Sequence, residues 1–158
     1  MCKKRVYIDM DNVLVNFKSG VKKLPPDILE EFQGRLDEVP GIFSLMEPMD
    51  GALEAVQVIK DKYELYILST APWLNSTAWS DKVLWIQNNF GRGKENPFYK
   101  RLIISHHKHL NKGDILIDDR PNNGAKDFDG EWIQFGSERF PDWKTVSTYL
   151  LNKLDKLL

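Results

Sequence analysis

Five short apolar runs, at residues 5–8, 64–68, 101–104, 114–117 and 131–135, constrain this chain more than any other feature of it. The first stops at Asp9, the second at Ser69-Thr70, the fourth runs into Asp118-Asp119, and the last ends at Gly136. Near-continuous apolar runs of this length suit strands buried on both faces. Helical spacing falls between them. Residues 51–62 place Leu53, Val56 and Ile59 on one stripe, with Val58 widening it. Residues 79–90 do the same with Trp79, Val83, Ile86 and Phe90, and Gly91 is a natural stop. Residues 141–158 open on Pro-Asp and continue through Val146, Leu150 and Leu154. Alternation of this kind predicts an α/β fold, a Rossmann-like parallel sheet with helices on both faces.

Two stretches interrupt the pattern. Residues 18–48 hold Pro25, Pro26, Pro40 and Pro48 and one short helical pattern over 27–36. That is too long for a simple strand-to-helix loop and reads as an inserted lid. The polar, Gly-rich GRGKENP at 91–97 reads as a surface loop. The 158 residues suffice for one domain with a real core. A net charge of −1 offers no broad attraction for polymeric nucleic acid or an anionic membrane. The single cysteine, Cys2, excludes an intramolecular disulfide, and the basic opening meets Asp9 and Asp11 too soon for a secretory leader. A cytoplasmic protein is expected, and a homo-oligomer is compatible with these features.

Ligands of open parallel sheets bind beyond the carboxyl ends of the strands. If the runs ending in Asp9-Met10-Asp11, Ser69-Thr70 and Asp118-Asp119 lie side by side, four carboxylates and a hydroxyl converge there. Crowded carboxylates repel, and a hard divalent cation relieves them; magnesium favours one or two carboxylates plus a substrate phosphate. Each piece alone has a blander reading. A lone Asp at a strand end is usually a cap, Ser69-Thr70 before Ala71-Pro72 caps a helix by default, and Asp118-Asp119-Arg120-Pro121 suits a capped turn. Their coincidence at equivalent strand ends argues for a site.

The order of these motifs resembles the haloacid dehalogenase (HAD) superfamily: YIDMDNVLVNF, LSTAP, Lys108 and LIDDRPNNG match its four motifs in turn. EPMDGALEAV and FGSERFPDW bring it closer to one branch, the 5'(3')-deoxyribonucleotidases. The resemblance implies a core at residues 1–16 and 49–158 and a small, mostly helical cap at 17–48. It also implies magnesium-dependent hydrolysis of deoxyribonucleoside monophosphates. In those terms Asp9 is the nucleophile and Asp11 the acid and base, while Asp9, the Asp11 carbonyl and Asp118 hold Mg2+. Thr70, the backbone near Ala71, and Lys108 bind phosphate, and Asp119 orients from behind. Asn12 stands where the family has glycine, and asparagine tolerates the left-handed conformation. Phe17, Phe43, Trp73 and Lys82 are the candidate substrate contacts, against core packing for the phenylalanines and a solvated helix lysine for Lys82. His106, His107 and His109 read as loop residues. A phosphatase of sugar phosphates and a non-catalytic phosphoryl-binding module are the competing accounts.

Overall fold

The structure, a computed structural model, describes residues 3–155. Cys2 and the last three residues of the expected C-terminal helix lie outside the described residues. Five strands form one parallel sheet: β1 (Arg5–Ile8), β4 (Glu64–Ser69), β5 (Leu102–Ile104), β6 (Ile115–Asp118) and β7 (Glu131–Gln134). Their order is β5-β4-β1-β6-β7, with Ile8 opposite Ile67 on one side and Ile117 on the other. The chain therefore leaves β1 toward one edge and returns on its other side. That reversal opens a crevice at the carboxyl ends of β4, β1 and β6.

Strand alternation sorts the side chains onto two faces. Val6, Ile8, Leu65, Ile67, Ile115, Ile117 and Ile133 enter the main core, together with α3 (Ala52–Ile59), α4 (Thr77–Phe90) and α5 (Trp143–Asp155). Tyr7, Leu68 and Leu116 face the other way, where Ala125 and Phe128 from a short 3-10 turn and its flank cover them. The α/β class and parallel sheet are as expected, but the covering is unequal, with all three long helices serving one cluster. Trp143 anchors that cluster, fully buried, and its Nε1 donates to the Val13 carbonyl at 2.7 Å. Truncating such a side chain to alanine costs on the order of 3–5 kcal/mol.

Two helical stripes differ from expectation. On α4 the buried positions are Ala78, Asp81, Lys82, Trp85, Ile86 and Phe90, while Trp79 and Val83 are exposed. The inward face is rotated because a lysine and an aspartate occupy it. On α3, Val58 is half exposed and does not widen the stripe.

Between β2 (Val15–Asn16) and the antiparallel β3 (Glu47–Pro48) lie α1 (Phe17–Val21), α2 (Pro26–Glu31) and two 3-10 turns, Leu36–Glu38 and Ile42–Ser44. The helix expected over 27–36 is thus shorter. Gly34 sits at φ +79°, a conformation no continuing right-handed helix can hold. Val39, Ile42, Phe43 and Met46 are buried, and Trp85 Nε1 donates to the Met46 carbonyl at 2.9 Å. Asn75 pins this segment to the loop before α4, its Nδ2 donating to the Asp37 and Val39 carbonyls at 2.9 and 3.0 Å. Thr77 Oγ1 accepts from the Gly41 N–H at 2.8 Å.

Candidate active site

Beyond Ile8 the chain stops being a strand and curls around one carbonyl. The N–H groups of Val13, Leu14 and Val15 all donate to Met10 O at 2.9–3.1 Å. Asn12 takes the left-handed φ of 59° that this turn requires and that asparagine tolerates. The turn holds Asp9 and Asp11 at the base of the crevice. Asp118 ends β6 next door and Asp119 follows it. Carboxylate oxygens of Asp9, Asp118 and Asp119 all lie within 4.8 Å of one another.

Two buried amines face these acids. Lys108, on a 3-10 turn after β5, places Nζ 3.0 Å from Asp9 Oδ1 and 2.5 Å from Asp118 Oδ2. Its turn is held by the Lys108 N–H, which donates to Asn123 O at 2.7 Å. Lys82, on α4, donates to both Asp11 oxygens at 3.1 and 3.0 Å and to Ser69 Oγ at 3.0 Å. Arg120 Nε, on the exposed rim, adds a longer contact to Asp119 Oδ2 at 3.7 Å, so four carboxylates face three cations and one negative charge stays uncompensated.

The titrations register that deficit. Burial, and then the Asp9 charge, push the Asp118 carboxyl up to about 7 despite Lys108. Burial and Asp9 likewise raise Asp119, whose Oδ1 is buried with no hydrogen-bond partner. Burial raises Asp11 too, against the pull of Lys82. Burial opposes the charge on Lys108, but Asp9 and Asp118 outweigh it and hold its pKa above the ordinary value. Clustered oxygens, an unpartnered carboxylate atom and an excess of negative charge fit a hard divalent cation.

The acids open onto a cleft of about 450 Å3. Asp9, Asp11, Thr70, Lys108 and Asp118 line its floor, and Phe17, Phe43, Leu36 and Asp37 its far wall. The two phenylalanine rings meet edge to face, 6.1 Å between centroids. Arg120, Asn122 and Asn123 complete the rim.

Several placements differ from the sequence reading. Trp73 is 78% exposed and packs its ring against His106 rather than in the cleft; Pro72 takes the wall position and the turn it begins carries Trp73 outward. Lys82 is fully buried and reaches the site through Asp11, not through the cleft. Asp119 lies with the Asp9 and Asp118 oxygens, whereas both Asp11 side-chain oxygens turn to Lys82. Thr70 Oγ1 donates to Ser105 O at 2.7 Å, and the Ala71 methyl is buried. Ser69 holds Lys82 rather than capping a helix, Arg120 makes the local ion pair with Asp119, and Asn75, which pins the inserted segment, is a contributor that the motif reading passed over. Asn75 left a signal, an amide in a polar run just before a helix.

The family model for 5' nucleotidase, deoxy (pyrimidine), cytosolic type C protein matches residues 26–142. The chain belongs to that family. A Vibrio phage KVP40 protein, provisionally named 5'(3')-deoxyribonucleotidase, is 53% identical over 148 residues, covering 94% of this chain and 85% of the phage protein. A Staphylococcus aureus protein of the same provisional name is 31% identical and is covered over its whole length. The human 5'(3')-deoxyribonucleotidase, cytosolic type, is 26% identical over 90% of this chain and 78% of its own. Family membership places the chain among phosphoric monoester hydrolases. Among solved structures, the provisionally assigned HAD hydrolase YfnB from Bacillus subtilis, bound to magnesium, superimposes with a TM-score of 0.53 at 12% identity over 90% of each chain. A haloacid dehalogenase-like hydrolase from Xanthomonas campestris gives 0.53 at 11% identity over 96% of each. These two share the fold.

Proposed function

We propose that the protein hydrolyses deoxyribonucleoside monophosphates to nucleoside and phosphate through a phosphorylated Asp9. One observation carries this reading: the Asp9 carboxylate, held by Lys108, lines the same cleft as Phe17 and Phe43. Asp9 attacks phosphorus while the bond to the nucleoside oxygen breaks, and Asp11 gives that oxygen its proton. In the second step water attacks the same phosphorus, loses a proton to Asp11, and frees the Asp9 carboxylate. Lys108 holds fixed positive charge beside the transferring group. Thr70 joins it by turning its hydroxyl from Ser105 O to a phosphate oxygen. Asp9, Asp118 and the Asp11 carbonyl would hold magnesium, with Asp119 beside them. The ion, when bound, would offset charge on the phosphoryl group and its carboxylates.

Residues 17–48 act in this reading as a cap over the core, 1–16 and 49–158, with the β2–β3 pair as its base. Phe17 and Phe43 form the slot for sugar and base. An apolar slot rejects an added ribose hydroxyl only weakly, on the order of 100-fold at best. Among the described residues no helix is long and apolar enough to cross a membrane, and the human relative is named a cytosolic type; we place the protein in the cytoplasm on that support.

A phosphate-release panel with magnesium tests the reading. kcat/KM for dUMP or dTMP should exceed that for the matching ribonucleotide by roughly ten- to hundred-fold. Equal efficiency on both, or better turnover of a sugar phosphate, would remove the nucleotidase assignment. Full activity in excess chelator would remove the metal.

A further inference from the structure

Lys82 is one of the largest fully buried side chains in the protein, and it carries a charge. An ammonium taken out of water is costly unless its donors are all met. Here they are met completely. Two contacts go to the two oxygens of Asp11 at 3.1 and 3.0 Å and one to Ser69 Oγ at 3.0 Å. The Phe43 ring covers Nζ with its centroid 4.4 Å away. An ammonium has three donors, so none remains for a phosphate oxygen, and Lys82 does not line the cleft.

The same contacts fix Asp11. Both of its oxygens are taken by one immobile amine, which turns the carboxyl away from the Asp9, Asp118 and Asp119 cluster while leaving it on the cleft floor. A free carboxylate beside a cation site would swing toward the cation and be lost as a proton donor. Ser69, at the end of β4, and α4 together set where the amine stands.

We propose that Lys82 is a positioning residue. It holds Asp11 on the leaving-group side of the site for both proton transfers, and it ties that placement to Phe43 on the substrate wall. The inference rests on the phosphatase reading above. Its consequence is selective: removing Lys82 harms whichever step needs a proton from Asp11 and spares a step that does not.

The test compares leaving groups in Lys82→Met, with magnesium, under single-turnover conditions. dUMP and phenyl phosphate release poor leaving groups that need the Asp11 proton; p-nitrophenyl phosphate releases an anion that does not. Release of deoxyuridine and phenol should fall by about 100-fold or more, the usual worth of a general acid. The first p-nitrophenol turnover should stay within a few-fold of wild type. Phosphate release should then lag behind it, because the water step also uses Asp11. Substrate affinity should hold. Equal losses on all three substrates in a folded variant, no loss on any, or a rise in KM alone would overturn the proposal. If Lys82→Met does not fold by circular dichroism, Ser69→Ala removes one Lys82 partner without removing charge. It should show a smaller loss of the same selectivity, and an unselective loss, or none, would overturn the proposal. Failure of wild type on dUMP would instead count against the nucleotidase reading, and phenyl phosphate would still decide the role of Lys82.

Discussion

Lys108 and Asp118 face each other at 2.5 Å, Nζ to Oδ2, with each side chain only 4% exposed, and Asp9 Oδ1 approaches the same Nζ at 3.0 Å. One amine thus bridges two acids at the ends of neighbouring strands. Removing a single partner from a buried ion pair leaves an unpaired charge, at a cost of about 3–5 kcal/mol. Lys108→Met should lose stability on that scale when unfolded by urea in chelator. Magnesium should restore more stability to the variant than it adds to wild type, since a cation then replaces the missing charge. Activity should not follow: with the charge beside the phosphoryl group gone, kcat should stay down by about 100-fold or more.

The raised carboxyls give the metal-free protein a pH dependence of unusual sign. Asp118 titrates at about 7 when folded, against an ordinary value of 3.8. Between those values the folded state binds the proton more tightly than the unfolded chain, so stability falls as pH rises through the folded pKa. Glu131 and Asp142, both lowered, contribute the opposite slope only at more acidic pH. In chelator, the urea midpoint should therefore decline from about pH 5 to pH 7. Asp118→Asn should flatten that decline, and a variant as steep as wild type would contradict it.

Gly124 couples two loops of the site. It holds φ +81°, and a Cβ there would stand 2.2 Å from His109 Nδ1, next to Lys108. Gly124→Ala should displace the 3-10 turn that carries Lys108, lowering both the melting temperature and kcat. Gly136 is the control. It holds φ +79° with nothing within 4 Å of a Cβ, so Gly136→Ala carries only the backbone strain, of order 1–3 kcal/mol, and keeps its kcat.

The strands were legible because each was a near-continuous apolar run, and the acids were legible because they stood where two of those runs end. What escaped lay where polarity and burial part company. Hydrophobic periodicity on α4 pointed to Trp79 and Val83, since no count of apolar residues anticipates that Lys82 and Asp81 face inward. Lys82 is tolerated there only because Asp11, Ser69 and Phe43 surround it, and those partners come from three other parts of the chain. Trp73 went astray for a related reason: adjacency to Thr70 in sequence says nothing about which way a turn at Pro72 throws the next side chain.

Those two aromatic placements separate cleanly by mutation. Trp73→Ala should leave kcat/KM for dUMP unchanged, because the ring packs on His106 outside the cleft. Phe43→Ser should narrow the gap between deoxyribo- and ribonucleotide, since a hydroxyl then meets the 2' position. An undiminished gap with Phe43→Ser would place discrimination elsewhere in the cleft.

The covalent role of Asp9 is the claim on which the rest depends, and the acid-quenched protein tests it most directly. Wild type stopped during turnover of dUMP with magnesium, digested and weighed by mass spectrometry, should carry one phosphoryl group on the peptide containing Asp9. Asp9→Asn should carry none and release no phosphate. Steady phosphate release from a protein whose Asp9 peptide is never modified, or near-normal turnover by a purified Asp9→Asn, would contradict the account.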